Sequence, residues 1–289
     1  MEFVMTSQRI AFLDVDGTIL EHGSVIAPST VTAVRTARKN GHLVYLSTGR
    51  SDGDVHPDVR AIGFDGAITN GGAYATRGDE LIVSHPMPRP EVERLVAYFT
   101  AHGMEYFLQS HERVFASAGI RVRVDEFMRH RRERRAEDLR TLGVAEDDLP
   151  DVSLHQYADV SEADLDEIAK AVFVSDRSDS LDRAQTDLGD TFHVIPGSMP
   201  MPGGSNGEIS MLGTTKGAAI LEVLALLDRD PADAIGIGDS WNDVEMFEVC
   251  GVSVAMGNAD PELQARADRV TTGVLDDGVW NAFVALGLV

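Results

Sequence analysis

The segment Asp14-Val15-Asp16-Gly17-Thr18 places two carboxylates two residues apart, at the end of the apolar run Arg9–Val15. Side chains alternate along a strand, so the carboxylates of Asp14 and Asp16 can point the same way where the strand ends. A pair of this kind can divide the work of a group transfer, with one carboxylate attacking and the other handling the proton. The alternative interpretation is an ordinary Asp-Gly turn after a strand.

A second acidic cluster, Gly238-Asp239-Ser240-Trp241-Asn242-Asp243, follows the apolar run Ala234–Ile237. Two acidic loops at neighbouring strand ends repel each other unless a cation lies between them. Carboxylate and amide oxygens suit Mg²⁺ better than Zn²⁺, and no Cys/His cluster in the sequence competes with them. An N-cap for a helix beginning near Asp243 is the alternative, and it accounts for one of the acids. We expect Trp241 to pack against the core rather than line a pocket.

Two further segments offer groups that could bind phosphate. Lys216 stands at the predicted start of a helix, where the helix dipole disfavours a cation. The chain has 22 arginines and three lysines, so a lysine here suggests an ammonium that neutralises a phosphate or a carboxylate; a surface lysine is the alternative. Thr48-Gly49-Arg50 follows the run His42–Ser47 and offers a hydroxyl, backbone N–H groups and a cation for phosphate oxygens. An ordinary Thr-Gly turn is the alternative interpretation, because short turns of this kind are common.

Strand and helix patterns alternate around these motifs. Short apolar runs without polar alternation predict buried parallel strands, and the stretches between them predict helices. Right-handed crossovers then give a parallel sheet covered on both faces, whose ligands bind at the carboxyl ends of the strands. The acidic pair, the Thr48 turn and a further polar cluster, Asn70-Gly71-Gly72, all follow such runs.

The pattern changes near residue 80 to hairpins and mixed elements, and it resumes after Gly213. We therefore predict an α/β fold with a Rossmann-like parallel-sheet core and an inserted α+β domain. The core comprises residues 1–84 and 213–289, and the insert comprises residues 85–212.

Four helices are predicted within the insert, over Arg89–His102, over most of Arg121–Arg140, over Ala163–Lys170 and over Asp179–Leu188. The second contains eight arginines. One interpretation is a solvated helix that pairs with the abundant acids of the chain. The other is that part of it selects an anionic substrate.

The charge of the chain limits its partners. It has 47 acidic and 25 basic residues, a formal net charge of −22. That field opposes nucleic acid and anionic lipid, so we expect neither as a partner, and an anionic ligand would need local cations. No secretory or membrane-spanning segment is evident, and Cys250 is the single cysteine, so we expect a cytoplasmic location. The oligomeric state is not predicted.

Taken in order, the motifs resemble those of the haloacid dehalogenase-like superfamily. The match comprises Asp14-Val15-Asp16-Gly17-Thr18, Thr48, Lys216 and Gly238-Asp239 with Asn242-Asp243. A finer resemblance, to the Cof-like phosphatases, rests on Ser47-Thr48-Gly49-Arg50, Thr69-Asn70-Gly71-Gly72 and Lys216-Gly217. That group has a large α/β cap between its second and third motifs, where residues 85–212 fall here. The cap matches in position and rough pattern only.

The resemblance implies a Mg²⁺-dependent phosphatase of small phosphorylated metabolites, sugar phosphates above all. Asp14 would be the nucleophile that forms an aspartyl-phosphate, and Asp16 would protonate the leaving alcohol and then activate water. Thr48 would hydrogen-bond the phosphoryl oxygens, and Lys216 would neutralise their charge. The implied substrate-binding residues are Gly49, Arg50, Asn70 and Gly71. The implied metal ligands are Asp14, Asp16 through its backbone carbonyl, and Asp239, with Asn242 and Asp243 orienting them.

Two other functions stay open at this point. Superfamily members that store the aspartyl-phosphate lack an acid at the position of Asp16. The presence of Asp16 therefore favours hydrolysis or phosphomutase chemistry. A phosphomutase is therefore an alternative. A non-catalytic phosphate-binding regulatory protein is the other alternative. Such proteins usually lack one of the four catalytic positions, whereas this chain keeps all of them: Asp14, Asp16, Lys216 and Asp239.

Overall fold

The computed structural model describes residues 8–21, 25–120, 157–197 and 204–289. The chain divides into two compact units. The first comprises Met1–Pro86 and Ser210–Val289, and the second comprises Met87–Ile209.

Sixteen strands and eight α-helices are assigned within the described residues, and they are numbered in chain order. The strands are β1 (Ile10–Leu13), β2 (Leu20–Glu21), β3 (Val25–Ile26), β4 (Leu43–Ser47), β5 (Gly66–Thr69), β6 (Tyr74–Arg77), β7 (Glu80–Ser84), β8 (Glu105–Gln109), β9 (Val114–Ala116), β10 (Ala158–Asp159), β11 (Lys170–Ser175), β12 (Phe192–Pro196), β13 (Ser205–Met211), β14 (Ala234–Gly238), β15 (Val252–Ala255) and β16 (Arg269–Val270). The helices are α1 (Pro28–Lys39), α2 (Pro57–Ile62), α3 (Arg89–Ala101), α4 (Ser180–Leu188), α5 (Lys216–Leu226), α6 (Val244–Val249), α7 (Pro261–Gln264) and α8 (Gly278–Ala285).

The first unit is built on an eight-stranded sheet in the order β16-β15-β14-β1-β4-β5-β6-β7. The pairs from β16 to β5 are parallel, and β6 and β7 extend the sheet as antiparallel strands. Strand β1 lies between β14 and β4, in the register Ile10↔Ala234 and Ile10↔Leu43. The carboxyl ends of these three central strands therefore meet at one edge of the sheet.

Helices cover both faces of this sheet, which explains why β1 is apolar at every position. Ala11 and Leu13 belong to a core cluster with residues of α1 and α8, whereas Ile10 and Phe12 belong to a second cluster with residues of α5 and α6. All four side chains are almost fully buried. Burial on both faces holds the strand rigidly, and the loop at its end is positioned accordingly.

The second unit contains a six-stranded sheet in the order β10-β9-β8-β11-β13-β12, together with α3 and α4. The pairs β8/β9, β8/β11 and β11/β13 are antiparallel. Helix α3 buries an apolar stripe, and its Phe99 ring lies 5.1 Å from that of Tyr106 and 6.0 Å from that of Phe173. The predicted fold class, a Rossmann-like parallel-sheet core with an inserted α+β domain, is confirmed.

One predicted helix of the insert is wrong, and another falls outside the described residues. Residues 163–169 form turns and extended chain, and β11 begins at Lys170. The N–H of Ala169 donates to the carbonyl of Gln109 (2.9 Å), and the carbonyl of Ile168 accepts from Met87 (2.7 Å). These long-range backbone bonds replace the local bonds of a helix. The arginine-rich segment 121–140 lies outside the described residues.

None of the helices in the described part of the chain is long and apolar enough to cross a membrane.

Candidate active site

Asp14 lies at the carboxyl end of β1, in the middle of the parallel sheet. Its N–H donates to the carbonyl of Ile237 at 2.9 Å, which continues the pairing of β1 with β14, and its side chain is buried. Gly17 lies in the loop that follows, with a φ of +85° that favours glycine. A Cβ atom there would stand 2.0 Å from Oδ2 of Asp239, so only glycine lets the two acidic loops approach so closely.

The loop after β14 is arranged around the buried carboxylate of Asp243. Oδ2 of Asp243 accepts hydrogen bonds from the N–H groups of Asp239 (3.0 Å) and Ser240 (3.1 Å). Ser240 and Asp243 also form a capping box at the short 3-10 helix Trp241–Asp243, which leads into α6. Ser240 is the N-cap of this short helix and Asp243 is its third residue, whose side chain makes no capping bond to α6, so the expected N-cap role of an acid is not found. Asp239 stays beside Gly17. Thr18 Oγ1 donates to Oδ1 of Asp239 at 3.2 Å and links the two loops.

Lys216 joins the two acidic loops from the first turn of α5. Its Nζ lies 2.6 Å from Oδ1 of Asp14, 2.6 Å from Oδ1 of Asp243 and 3.2 Å from Oδ1 of Asn242. The lysine side chain is 1% exposed, so a surface lysine is excluded. Burial alone would lower the pKa of the ammonium, but the carboxylates of Asp14 and Asp243 outweigh it and hold that pKa above its ordinary value.

The cluster holds three carboxylates for one ammonium. Oxygen atoms of Asp14, Asp239 and Asp243 lie within 4.8 Å of one another. Burial raises the pKa of Asp14 well above its ordinary value, and the carboxylates of Asp243 and Asp239 add to this effect against the opposing charge of Lys216. Burial, followed by the Asp243 carboxylate, raises the pKa of Asp239 to about 7. The cluster therefore favours a further positive charge.

The donor set fits a hard cation such as Mg²⁺. All the grouped ligand atoms are carboxylate oxygens. Of the two carboxylate oxygens of Asp14, Lys216 donates to Oδ1. Asp243 differs from the other two, because both of its oxygens already accept hydrogen bonds from Lys216 and the backbone. Asn242 Oδ1 accepts from Ser240 Oγ (2.7 Å) as well as from Lys216. These contacts suit Asp14 and Asp239 as ligands and Asp243 and Asn242 as residues that orient the cluster.

The loops after β4 and β5 are joined through their backbones. The N–H of Thr48 donates to the carbonyl of Ile68 (2.9 Å), and the carbonyl of Thr48 accepts from the N–H of Gly71 (3.0 Å). The N–H of Asn70 donates to the carbonyl of Arg50 (2.7 Å). Thr48 is buried, and its Oγ1 accepts from the N–H of Arg50 at 3.2 Å. Asn70 is buried with a φ of +53°. Gly49 and Gly71 are partly exposed in the same two loops.

Gly72 lets the loop after β5 approach the backbone of Thr215, the residue before Lys216, and a substitution at Gly72 tests this close contact. A Cβ atom on Gly72 would lie 2.1 Å from the backbone carbonyl oxygen of Thr215, and its φ is +114°. We expect Gly72→Ala to lower the free energy of unfolding by about 2–4 kcal/mol through strain and overpacking, measured by urea denaturation. The neighbouring Gly71, with φ +69° and open space for a Cβ atom, is the control: Gly71→Ala should cost about 1 kcal/mol. Equal losses would contradict the close approach.

Arg50 and Asp16 form a two-point ion pair. Nε of Arg50 donates to Oδ2 of Asp16 at 2.6 Å, and Nη2 donates to Oδ1 at 2.7 Å. The family resemblance implied that Arg50 binds the substrate, and its pairing with Asp16 was not predicted. Trp241 also differs from expectation: it is 47% exposed rather than packed in the core, and the guanidinium of Arg266 lies 5.3 Å from the centre of its ring.

A model of the haloacid dehalogenase-like hydrolases matches residues 11–283 of the chain. The chain belongs to the haloacid dehalogenase-like hydrolase family. Residues of both compact units fall within the match, and the resemblance that the motifs indicated is confirmed. The prediction that the chain is an enzyme of the hydrolase class is confirmed as well.

Relatives of this hydrolase align over almost its whole length. The Bacillus subtilis (strain 168) protein "Putative phosphatase YkrA" is 27% identical over 283 residues, which cover 97% of this chain and 98% of the relative. Pyridoxal phosphate phosphatase YbhA of Escherichia coli (strain K12) is 26% identical over 273 residues, covering 92% and 93%. Among solved structures, the subclass IIB sugar phosphatase BT4131 superposes with a TM-score of 0.77 at 21% identity, covering 98% of this chain and 100% of that one, a likeness that shows the fold.

Two contacts of the hydrolase site involve residues that sequence analysis did not single out. Nδ2 of Asn258 donates to the carbonyl of Gly17 at 2.9 Å, and the hydroxyl of Thr18 donates to Asp239. Thr18 belongs to the motif that begins at Asp14, but no role was predicted for its hydroxyl. Asn258 has no such signal, because it lies 241 residues from Gly17 and in no recognised motif.

Proposed function

We propose that this hydrolase is a Mg²⁺-dependent phosphatase that hydrolyses esters of small phosphorylated metabolites, sugar phosphates first among them, through an aspartyl-phosphate at Asp14. The observation that carries the proposal is the buried contact of Asp14 with Lys216, beside the carboxylates of Asp239 and Asp243. A carboxylate next to a fixed ammonium and a cation site meets the needs of phosphoryl transfer, where positioning and charge stabilisation supply most of the catalysis.

In the first step, Asp14 attacks phosphorus while the ester P–O bond breaks. The hydrogen bond from Lys216 to Oδ1 orients the Asp14 carboxylate, and the ammonium offsets the negative charge that the incoming phosphoryl group adds. Asp16 gives its proton to the leaving alcohol oxygen, so the products are the alcohol, the aspartyl-phosphate and ionised Asp16. Thr48, Gly49, Asn70 and Gly71 are proposed to contact the substrate phosphoryl group.

In the second step, water attacks phosphorus and the bond between phosphorus and Asp14 breaks. Asp16 takes the proton of the water, which restores both carboxyl groups and releases phosphate. When bound, Mg²⁺ would act as a Lewis acid that stabilises the charge of the phosphoryl oxygens. The residues proposed to hold it are Asp14, Asp239 and the backbone carbonyl of Asp16, with Asn242 and Asp243 orienting them.

The substrate class is supported by the names of the relatives. They include phosphatases of pyridoxal phosphate and of 5-amino-6-(5-phospho-D-ribitylamino)uracil, both small phosphorylated molecules. The formal charge of −22 makes local cations necessary for any such anion, and Lys216 with Mg²⁺ would supply them. We also propose that residues 85–212 act as the cap that selects among these substrates, with 1–84 and 213–289 as the catalytic core.

Phosphate release from a panel of phosphorylated metabolites tests the proposal, with Mg²⁺ and with EDTA in parallel. We expect turnover that needs the metal, with the highest kcat/KM among sugar phosphates. Turnover that requires a bisphosphate activator would instead indicate a phosphomutase. Absence of metal-dependent turnover on every ester, in a folded protein, would overturn the proposal.

The pH dependence of stability should reveal the cation site. In the metal-free protein the pKa of Asp239 is about 7, above its ordinary value of 3.8, so the folded state retains a proton that the unfolded state releases. The stability from this proton is complete below the unfolded pKa and is lost as the pH rises to about 7, by up to about 4 kcal/mol. We expect the melting temperature in EDTA to fall from pH 5 to pH 8, and Mg²⁺ to raise it more at pH 8.

Asp239→Asn is the control for this pH effect, because it removes the titrating carboxyl group and keeps the shape of the side chain. The variant should show a flatter pH dependence in EDTA and a weaker stabilisation by Mg²⁺ at pH 8. An unchanged pH dependence in Asp239→Asn would show that the fall in stability has another origin.

A further inference from the structure

The guanidinium of Arg50 is bound on all three of its nitrogen atoms. Nε and Nη2 donate to the two carboxylate oxygens of Asp16 at 2.6 and 2.7 Å, and Nη1 donates to the backbone carbonyl of Asp54 at 3.0 Å. The Asp54 carboxylate lies 3.8 Å from Nη1. A phosphate ligand at Arg50 would therefore compete with a two-point charged hydrogen bond that is already formed.

The backbone of Arg50 is as firmly held as its side chain. Its N–H donates to Oγ1 of Thr48 (3.2 Å), and its carbonyl accepts from the N–H of Asn70 (2.7 Å). The short 3-10 helix Asp52–Asp54, which supplies the carbonyl for Nη1, follows directly. Arg50 thus connects the ends of β4 and β5 to the loop after β1.

The side chain of Asp16 is more exposed than that of Arg50, at 48% against 23%. An exposed aspartate samples several rotamers, and a planar guanidinium that donates to both carboxylate oxygens (a fork) selects one of them. A carboxylate has about four lone-pair sites, so each oxygen keeps a place for a proton after the fork has formed.

We infer that Arg50 is a positioning residue for Asp16: it holds the carboxylate that exchanges a proton with the leaving oxygen, rather than binding the phosphoryl group itself. The inference rests on the proposed phosphatase function. In the step concerned, the ester P–O bond breaks, its electron pair stays on the leaving oxygen, and the proton of Asp16 moves to that oxygen. Loss of Arg50 leaves these groups present but removes the two hydrogen bonds that fix the orientation of the Asp16 carboxylate.

The dependence of rate on the leaving group separates the two roles. An alkyl alcohol leaves poorly as an anion and needs the proton, whereas a nitrophenol leaves readily without it. The phosphoryl group is the same in both esters. A positioning residue for Asp16 therefore affects alkyl esters selectively, and a phosphoryl ligand affects both alike. The constant to compare is kcat/KM, because it reports the steps up to departure of the leaving group.

The experiment compares wild type, Arg50→Gln, Asp16→Asn and the double variant on a hexose phosphate and on p-nitrophenyl phosphate, with Mg²⁺. We expect Arg50→Gln to lower kcat/KM about 100-fold on the hexose phosphate and less than about threefold on the nitrophenyl ester, within the usual range of proton-transfer catalysis. Asp16→Asn should show the same selectivity. The double variant should be no worse than Asp16→Asn, because the two residues act as one unit.

Two further variants keep the test decisive. Arg50→Lys retains the charge but cannot form the fork, so it should show the selective loss even if Arg50→Gln folds poorly. Arg60→Gln removes a guanidinium that pairs with Asp52 at 2.8 Å nearby, and it should leave both rates unchanged.

Equal losses on both esters, with weaker inhibition by inorganic phosphate, would overturn the inference and make Arg50 a phosphoryl ligand. Additive losses in the double variant would also overturn it. Failure of the wild type on every ester is a different outcome, because it would overturn the proposed phosphatase function and with it the reaction that Arg50 is inferred to serve.

Discussion

Asp14→Asn is expected to lower metal-dependent phosphate release by at least about 10⁴-fold, the scale on which loss of a covalent nucleophile acts. The amide has almost the shape of the carboxylate but is a far weaker nucleophile. Lys216 keeps its hydrogen bond to Asp243 in the variant, so the fold should persist. The measurement is single-turnover and steady-state phosphate release on the best panel substrate.

The control for Asp14→Asn is the same change of charge at an exposed position. Asp79 lies in the turn between β6 and β7 and is exposed, so Asp79→Asn should retain wild-type turnover. Circular dichroism and the melting temperature show whether Asp14→Asn is folded. Residual turnover above about one per cent in the folded variant would contradict nucleophilic attack by Asp14.

Lys216→Met is expected to lower the free energy of unfolding by about 3–5 kcal/mol, because it leaves buried carboxylates without their cation. The ammonium lies 2.6 Å from both Asp14 and Asp243, and all three side chains are buried. Methionine matches the length of the lysine stem, so the loss reports the charge rather than a cavity. Urea denaturation in EDTA measures it, and phosphate release should fall in parallel.

Lys39 supplies the matched control for Lys216, since it is exposed near the end of α1. Lys39→Met should change the free energy of unfolding by less than about 0.5 kcal/mol. Similar losses in the free energy of unfolding for the two substitutions would mean that the buried ammonium of Lys216 stabilises the fold no more than an exposed ammonium does. Mg²⁺ should partly restore the stability of Lys216→Met, because a cation would again face the carboxylates.

The sheet and the acidic cluster could be predicted because their signals are local. A run such as Ile10–Leu13 is apolar at every position only if both faces are covered, and that pattern predicts a parallel strand. Parallel strands then bring their carboxyl ends to one edge, which places Asp14 beside the loop of Asp239. The close approach at Gly17 follows from the same geometry, although the sequence shows only a turn.

The insert was harder to predict, because distant partners decide its structure. Residues 163–169 have helix-forming composition, yet the backbones of Ile168 and Ala169 bond to Met87 and Gln109, some 60 to 80 residues away. The exposed ion pair of Arg89 with Asp166 holds the same stretch. Tertiary bonds of this kind override helix propensity, which is a weak preference.

The partners of Arg50 and Trp241 could not be predicted for a related reason. Arg50 lies 34 residues from Asp16, and an arginine at a strand end can face a phosphate or a carboxylate equally well. For Trp241, a large apolar side chain predicts burial, but the 3-10 helix turns it outward toward Arg266. Side-chain direction in a short loop depends on backbone angles that composition does not determine.

The most direct test of nucleophilic catalysis by Asp14 is chemical trapping. The enzyme is mixed with its best substrate and Mg²⁺, quenched in acid within one turnover and treated with borohydride, which reduces an aspartyl-phosphate to homoserine. Peptide mass spectrometry then locates the modified residue. We predict homoserine at position 14, with none in Asp14→Asn. Turnover without modification at position 14, or modification at Asp16 instead, would contradict the mechanism.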